Sequence, residues 1–156
     1  MNVLRGSRPL IQRAIDRAAA ARPIPGNRVA LLQDGPQAYG AMLAIIAGAR
    51  RYIRFENYII RDDATGWRFA KALAERARAG VSVRVLYDWF GSIGTGRKYW
   101  NFLRSAGCEV RCFNPPNPFR PIAFFSRDHR KLVLADGGLS VIGGLCIADE
   151  WAGDPE

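Results

Sequence analysis

The chain has a single histidine, His129, and a lysine follows it two residues later, at Lys131. Side chains two residues apart on a β-strand project from the same face, so this spacing predicts an imidazole beside an ammonium group. A neutral imidazole is a usable nucleophile at pH 7, and an ammonium group neutralises charge that develops on a phosphoryl group. The pair therefore indicates phosphate-ester chemistry, whereas a single histidine taken alone is more often a structural residue.

The residues after this pair predict a β-hairpin that brings glycine to the same place. Asp136-Gly137 is a strong turn signal, and Leu139–Ile142 is predicted to be the returning strand. The loop is predicted to have two residues, either Asp136-Gly137 or Gly137-Gly138, and each register places Gly143-Gly144 next to the histidine end of the hairpin. A backbone without side chains lets a phosphate come close. Asp136 itself lies at the turn, where it organises the hairpin more than it contacts a substrate.

Helices and strands alternate along the rest of the chain. Their boundaries follow from apolar spacing, from the capping residues Asp63 and Thr95, and from the helix-ending glycines Gly80 and Gly107. The predicted helices are Pro9–Arg22, Gln37–Ala49, Thr65–Ala79 and Arg97–Ala106, and the predicted strands are Arg28–Leu32, Tyr52–Ile60, Val81–Tyr87 and Cys108–Phe113. This order predicts the α/β class: a mixed, mostly parallel sheet that is flanked by helices and carries the motif on its hairpin.

Three further site candidates follow from this fold. Ligands bind beyond the carboxyl ends of the strands in open α/β sheets. Glu56 and Tyr58 lie toward the end of one predicted strand and Asp88 ends the next, so we expect these three residues to bind substrate. The cysteines, three in number, show no metal-binding CxxC spacing. We expect neither a metal nor a cofactor, and we expect a reduced, intracellular protein.

The net positive charge of the chain indicates which molecules it attracts. Lysine and arginine number 23 against 14 acidic residues, which gives a net charge of +9, and only three of the 23 are lysine. The arginine excess reflects either coding bias or attraction to the phosphates of an anionic membrane or of nucleic acid.

The longest apolar run, Ala41–Ala49, is shorter than the roughly 20 residues of a membrane-spanning helix. The first residues do not resemble a signal peptide, so we expect action from one side of a membrane.

Two segments stand apart from these elements. Residues 1–27 are predicted to form an N-terminal helical arm, because prolines and a glycine at positions 23–26 separate the first helix from a domain at residues 28–156. Residues 114–126 are predicted to form a proline-rich loop. The apolar side chains of this loop either pack on the core or face a lipid or a partner; they are Phe119, Ile122, Phe124 and Phe125.

The motif residues together resemble a known family. The pattern His129-x-Lys131-x4-Asp136-x6-Gly143-Gly144 resembles the HxKxxxxD motif of the phospholipase D superfamily. Residues 27–153 as a whole resemble the N-terminal half of bacterial cardiolipin synthases. The segments that carry the wider resemblance are Glu56-Asn57-Tyr58-Ile59-Ile60, Asp63-x-Thr65-Gly66, Arg78-Ala79-Gly80-Val81, Tyr87-Asp88, Ala106-Gly107, Phe113-Asn114-Pro115-Pro116 and Asp128-His129-Arg130-Lys131.

The resemblance implies metal-free transfer or hydrolysis of phospholipid phosphodiesters by a phosphatidyltransferase. One motif histidine attacks phosphorus to form a phosphohistidine, a second protonates the leaving alkoxide, and an alcohol or water releases the product. It implies catalytic roles for the motif residues His129, Lys131 and Asp136, with His129 as the nucleophile or its acid partner and Lys131 on the phosphate. It also implies a cytoplasmic enzyme that is peripheral to the inner membrane.

The chain departs from the family pattern at two points. It has one histidine where the reaction needs two, so the second is expected from a motif-bearing second half of a longer enzyme or from a homodimer mate. A homodimeric phosphodiesterase or nuclease and an inactive phosphate-binding fragment are the alternatives.

Many relatives have asparagine two residues after the glycine pair, where this chain has Cys146, a weak donor. Asp149 or Glu150, farther along, is a candidate for orienting His129.

Overall fold

The computed structural model of the protein describes residues 10–20, 24–119 and 125–153. Its contacts separate two compact units, Met1–Leu31 and Leu32–Glu156, where the sequence places the boundary after residue 27. The first unit contains helix α1 (Leu10–Ala18). The other ends of the predicted helix, Pro9 and residues 21–22, lie outside the described residues.

The strand expected at Arg28–Leu32 is wrong. These residues have no regular secondary structure, and Val29 and Leu31 are 91% and 83% exposed. Alternating apolar residues form a strand only where a neighbouring strand takes up their backbone hydrogen bonds. Among the described strands none pairs with this segment, and the sheet begins instead at Tyr52.

The second unit is a five-stranded sheet with helices packed on it. Its elements are α2 (Gly35–Gly48), β1 (Tyr52–Asn57), α3 (Ala64–Arg78), β2 (Ser82–Asp88), α4 (Arg97–Ser105), β3 (Glu109–Phe113), β4 (Lys131–Ala135), β5 (Leu139–Ile142) and a final 3-10 turn (Asp149–Trp151). The strand order is β3-β2-β1-β4-β5, with β4 antiparallel to both of its neighbours and the other pairs parallel. Four strands therefore run one way and β4 runs against them, which confirms the predicted mixed, mostly parallel α/β sheet.

The core lies between one face of the sheet and the helices α2, α3 and α4, which pack side by side. Side chains of β1 alternate between the two faces, so that Ile53 and Phe55 are buried while Arg54 and Glu56 face the half-exposed side. A sheet with this alternation needs helices packed on one face only, while its other face contacts solvent. Asn57 continues the buried series although it is polar.

Helix boundaries follow capping chemistry, with one correction. Asp63 accepts the N–H of Gly66 at 2.8 Å and caps α3, as predicted. Thr95 does not cap α4, because Gly96 occupies the cap position and the Thr95 hydroxyl donates to the backbone oxygen of Ile60. The hydroxyl therefore ties the loop after β2 to the chain that follows β1, and this is the end of the sheet where the motif lies.

The motif hairpin has a register that neither two-residue loop predicts. Ala135 pairs with Leu139, which leaves three residues, Asp136–Gly138, in the loop. The first two of them have left-handed φ angles of +54° and +77°, and Gly138 follows as the third loop residue before β5 begins at Leu139. The glycine pair still lies beside the motif, because the Gly143 N–H donates to the Lys131 backbone oxygen at 3.2 Å.

The apolar side chains of the proline-rich loop are exposed where the structure describes them. Phe119 is 91% and Phe125 is 82% exposed, so of the two alternatives packing on the core is wrong for these two residues. Ile122 and Phe124 lie outside the described residues. No helix in the described parts of the chain has the length and apolar character that crossing a bilayer requires.

Candidate active site

His129 and Lys131 come together at the amino end of β4. The Lys131 ammonium nitrogen lies 3.1 Å from His129 Nδ1 and donates to the His129 backbone oxygen at 2.7 Å. Lys131 is only 3% exposed, whereas His129 is exposed. The buried ammonium group therefore holds an imidazole that is open to solvent.

The lysine contact also sets the tautomer of the imidazole. An ammonium group has three donors and no lone pair, so His129 Nδ1 is the acceptor and the neutral ring carries its proton on Nε2. Nε2 is the ring nitrogen that does not contact Lys131. In this state the ring offers a donor, and it becomes a nucleophile at Nε2 only when its proton moves to Nδ1.

The ring of Tyr58 forms a wall beside the pair. Its centroid lies 4.5 Å from that of the His129 ring and 5.1 Å from the Lys131 ammonium nitrogen. The loop after β2 holds this tyrosine, because the Ser92 hydroxyl donates to its backbone oxygen at 3.2 Å. A Cβ added at Gly91 would lie 2.2 Å from the same oxygen. Only glycine at position 91 therefore lets the loop come close enough to place the wall.

Asp88 is used inside the protein to hold the histidine segment. It is 1% exposed, and one carboxylate oxygen accepts the N–H groups of residues 90 and 91 and faces the Arg127 guanidinium at 3.4 Å. The other oxygen accepts the Asp128 N–H at 3.0 Å. Asp88 thus joins the end of β2 to the residue that precedes the histidine, and its place in the site is that of a support.

Asp136 lies at the opposite end of β4 from the histidine, roughly 16 Å along the strand from Lys131. Its carboxylate accepts the N–H groups of Arg50, Arg51 and Tyr52 at 2.8, 2.9 and 2.9 Å. These bonds, that from Tyr52 first, hold the pKa of Asp136 below its ordinary value. Asp136 therefore joins the hairpin to the start of β1, as its position at the turn predicts. It does not lie near the imidazole of His129, so the structure gives it a supporting role in place of the catalytic one that the resemblance implies.

The glycine pair leaves open space at the motif end of the hairpin. A Cβ added at Gly143 or Gly144 would meet no described atom within 4 Å. Neither has the left-handed backbone conformation that requires glycine. What the pair provides is room next to Lys131, where the oxygens of a phosphate would fit.

Glu56 belongs to a separate cluster on the other face of β1. It pairs with Leu132, one position along β4 from Lys131, so its side chain points away from the lysine. The Arg130 guanidinium lies 3.0 Å from the Glu56 carboxylate and donates to Asp128 at 2.9 Å. The structure therefore brings Glu56 to Arg130 and Asp128, and of the three strand-end candidates only Tyr58 lies against the imidazole.

The two carboxyl groups of this cluster share a proton. Burial raises the pKa of Glu56 from 4.5 to about 7, and the neighbouring Asp128 adds to the rise. Burial also acts to raise the pKa of Asp128, but hydrogen bonds from Glu56 and Arg130 outweigh it and bring that pKa below its ordinary value. Below about pH 7 Glu56 therefore carries the proton, and Asp128 is the charged partner of Arg130.

Glu56→Gln is expected to remove part of the pH dependence of stability. With a folded pKa raised from 4.5 to about 7, the folded state keeps a proton that the unfolded state releases, so stability present at about pH 5 is lost as the pH rises to about 8. Glutamine stays neutral and still donates to Asp128. Urea unfolding measures the free energy of unfolding across this pH range. That free energy is expected to fall less for E56Q than for the wild type, and the control Glu75→Gln, on the exposed face of α3, is expected to behave as the wild type does. Equal declines would contradict the shared proton.

Asn57 is a candidate site residue that the motif spacing does not indicate. It is 3% exposed, it pairs with Lys131 across the sheet, and its Oδ1 has no hydrogen-bond partner among the described residues. The signal in the sequence is a polar residue at the end of the buried series of β1. Its neighbour becomes known only with the register of β1 and β4.

Cys146 also lies beside Lys131. Burial raises the pKa of its thiol, while the N–H of Ile59 and the Lys131 ammonium act to lower it. The net effect is a raised pKa, so the thiol stays neutral and offers the lysine only a weak sulfur acceptor. Cys146 therefore contributes contact with the lysine and little hydrogen bonding.

The acidic residues after the hairpin do not orient the imidazole. Asp149 accepts the N–H groups of Ala64 and Thr65, at 3.3 and 2.7 Å, and so supports the start of α3. Among the described residues neither Asp149 nor Glu150 contacts His129. Within residues 10–20, 24–119 and 125–153 no group of three or more His, Cys, Asp or Glu side chains is placed to hold a metal ion.

The sequence matches one family of known proteins over most of its length. The family model described as "Cardiolipin synthase, PLD-like domain" matches residues 42–149. A cardiolipin synthase of Geobacillus kaustophilus is 38% identical over 128 residues, which are 81% of this chain and 26% of that protein. The major cardiolipin synthase ClsA of Bacillus subtilis is 38% identical over 129 residues, 81% of this chain and 27% of that protein. The chain thus spans about a quarter of the length of these relatives.

Two solved structures share the fold. Nuc from Salmonella typhimurium, a phospholipase D family member, superposes with a TM-score of 0.52 and 21% identity, covering 70% of this chain and 64% of that one. NucT from Helicobacter pylori superposes with a TM-score of 0.56 and 15% identity, covering 76% of this chain and 72% of that one. The sheet with its motif hairpin is therefore a fold already seen in solved proteins.

Proposed function

This chain belongs to the cardiolipin synthase family of phospholipase D-like domains, and we propose that it supplies half of a site that transfers phosphatidyl groups. His129 attacks the phosphorus of a phospholipid and the headgroup alcohol leaves. A second alcohol, or water, then takes the phosphatidyl group from the histidine. Lys131 holds the phosphoryl oxygens, Gly143 and Gly144 leave room for them, and Tyr58 forms a side wall.

The observation that carries the proposal is the buried ammonium of Lys131, 3.1 Å from Nδ1 of the exposed His129. A phosphoryl group that reaches Nε2 lies within the field of this buried positive charge. The charge that develops on its oxygens in the transition state is thereby neutralised, and the loss of one such donor costs about 10²–10³ in rate. A neutral imidazole is a competent nucleophile at pH 7.

The chemistry balances with one further histidine. From the tautomer with its proton on Nδ1, His129 forms a bond between Nε2 and phosphorus, and the bond between phosphorus and the headgroup oxygen breaks as that oxygen takes a proton from the second histidine. In the return step the second histidine accepts the proton of the incoming alcohol, whose oxygen displaces the nitrogen from phosphorus. Both rings end in their starting protonation states.

The second histidine comes from outside a single copy of this chain. A motif-bearing second half of a longer enzyme is favoured, because the chain spans about a quarter of the length of its relatives. The alternative is a homodimer in which the two copies of His129 meet near a twofold axis. That arrangement also suits a phosphodiesterase acting on nucleic acid, for which the net charge of +9 provides attraction.

The surface near the motif suits a phospholipid membrane. Ile93 and Phe119, on the loops that follow β2 and β3, are 61% and 91% exposed. These loops leave the carboxyl ends of their strands, and the amino end of β4 with the motif lies at the same edge of the sheet. Basic residues near an anionic bilayer add about 1 kcal/mol each. We propose that the protein works peripherally on such a membrane, at the cytoplasmic side of the inner membrane, as its resemblance to cardiolipin synthases implies.

Headgroup exchange tests the proposal. The chain is incubated with phosphatidylglycerol vesicles and labelled glycerol, first alone over a range of protein concentrations and then with the remainder of the Geobacillus kaustophilus relative. Exchange that appears only after the second half is added indicates that the two halves form one site. Exchange per molecule that rises with the concentration of the chain alone indicates a site formed by two copies. Absence of exchange in both arms would refute the transferase and leave the inactive phosphate-binding alternative.

A further inference from the structure

Asn57 is a buried amide whose oxygen has no hydrogen-bond partner in the described structure. It is the last residue of β1 and lies on the same buried face as Phe55. A buried acceptor without a donor destabilises the fold, and an apolar side chain of the same shape would avoid this cost. Unpaired groups of this kind occur where function requires them.

Lys131 lies beside this amide across the sheet. The two residues are directly opposed in the antiparallel pair of β1 and β4, where Cβ atoms lie about 4.5–5.5 Å apart. The lysine now donates to His129 Nδ1 and to the His129 backbone oxygen. Its flexible four-carbon stem allows the ammonium to reach acceptors on either side.

Few other acceptors compete for this ammonium. Cys146 touches it, but its thiol is neutral and its sulfur is a weak acceptor. Glu56 lies on the other face of β1 and faces Arg130. Among the described residues, the amide oxygen of Asn57 is therefore a buried acceptor that the resting structure leaves unused.

We propose that Asn57 is a positioning residue whose Oδ1 is the second acceptor of the Lys131 ammonium. When the ammonium moves from His129 Nδ1 to this oxygen, the ring releases its Nε2 proton to water and takes one from water at Nδ1. The number of protons on the ring is unchanged, and Nε2 gains the lone pair that attack on phosphorus needs. The inference rests on the proposed function in one respect, that a phosphate bound beside Lys131 favours this second position.

The single histidine of the chain makes the step directly observable. In protein labelled with ¹⁵N-histidine, the two ring nitrogens give one pair of signals that report the tautomer. For the wild type we expect Nε2–H without ligand and a shift toward Nδ1–H with saturating inorganic phosphate. Asn57→Asp gives the ammonium a stronger acceptor and is expected to shift the ring toward Nδ1–H without phosphate.

Asn57→Leu removes the acceptor and keeps the volume. We expect its thermal midpoint to equal or exceed that of the wild type, its ring to remain Nε2–H when phosphate is added, and its phosphate affinity to fall roughly tenfold. Asn101→Leu makes the same change at an exposed position of α4 and serves as the matched control, with wild-type behaviour expected.

The outcomes separate the inference from the proposed function. A ring that responds to phosphate in N57L as it does in the wild type overturns the inference, and so does an N57D ring that stays Nε2–H without ligand. A third outcome is that phosphate leaves the tautomer of the wild-type ring unchanged while N57D shifts it. This result would contradict the phosphate site of the proposed function and would support Asn57 as the second acceptor of Lys131.

Discussion

Replacing His129 with asparagine is expected to abolish headgroup exchange, a loss of about 10⁴-fold or more, and to leave the protein folded. Asparagine cannot form the bond to phosphorus that the mechanism needs. The imidazole is exposed, and its described partners are Lys131 and Tyr58, so its removal costs little stability. The measurement is exchange of labelled glycerol into phosphatidylglycerol vesicles, under conditions in which the wild type is active, together with urea unfolding.

Two comparisons show whether the loss is chemical. Ser140→Asn introduces the same side chain at an exposed position of β5 and is expected to exchange at the wild-type rate. Inorganic phosphate is expected to bind H129N with affinity close to that of the wild type, because Lys131 remains. Exchange that survives in H129N would show that another group attacks phosphorus.

The motif hairpin shows how far spacing alone carries a prediction. His129 lies two residues before Lys131, where β4 begins, and the two side chains meet as their spacing predicts for either register of the hairpin. The register is a different matter, because it depends on the conformation of Asp136. That residue is held by backbone N–H groups at residues 50–52, which are far away in the sequence. Local turn rules contain no information about such a contact.

The strand-end candidates show a second limit. The rule that ligands bind at the carboxyl ends of parallel strands selects the edge of the sheet where His129 and Lys131 lie, and it does not specify the direction of a side chain. Tyr58 lies against the imidazole, whereas Glu56 points to the other face and Asp88 is buried under the loop. Asn57, which the rule passes over, faces the lysine because β4 happens to pair there.

Asp88→Ala is expected to destabilise the protein by about 3–5 kcal/mol, the cost of removing one partner from a buried charged pair. Its carboxylate accepts three backbone N–H groups and faces the Arg127 guanidinium, and the side chain is fully buried. Set against a typical stability of about 5–15 kcal/mol, such a loss is large. Urea unfolding measures it, and the ¹⁵N signals of the single histidine report the site.

The position of Asp88 gives this loss a local signature. Because its carboxylate holds the N–H of Asp128, next to the histidine, D88A is expected to disturb the ring of His129 even in the folded fraction. Asp62→Asn is the matched control, since Asp62 is an exposed acid that accepts one backbone N–H, that of Gly96 at 3.0 Å. This control is expected to cost about 1 kcal/mol or less and to leave the histidine signals in place. A D88A variant as stable as D62N, with an undisturbed ring, would show that the motif segment holds its position without support from β2.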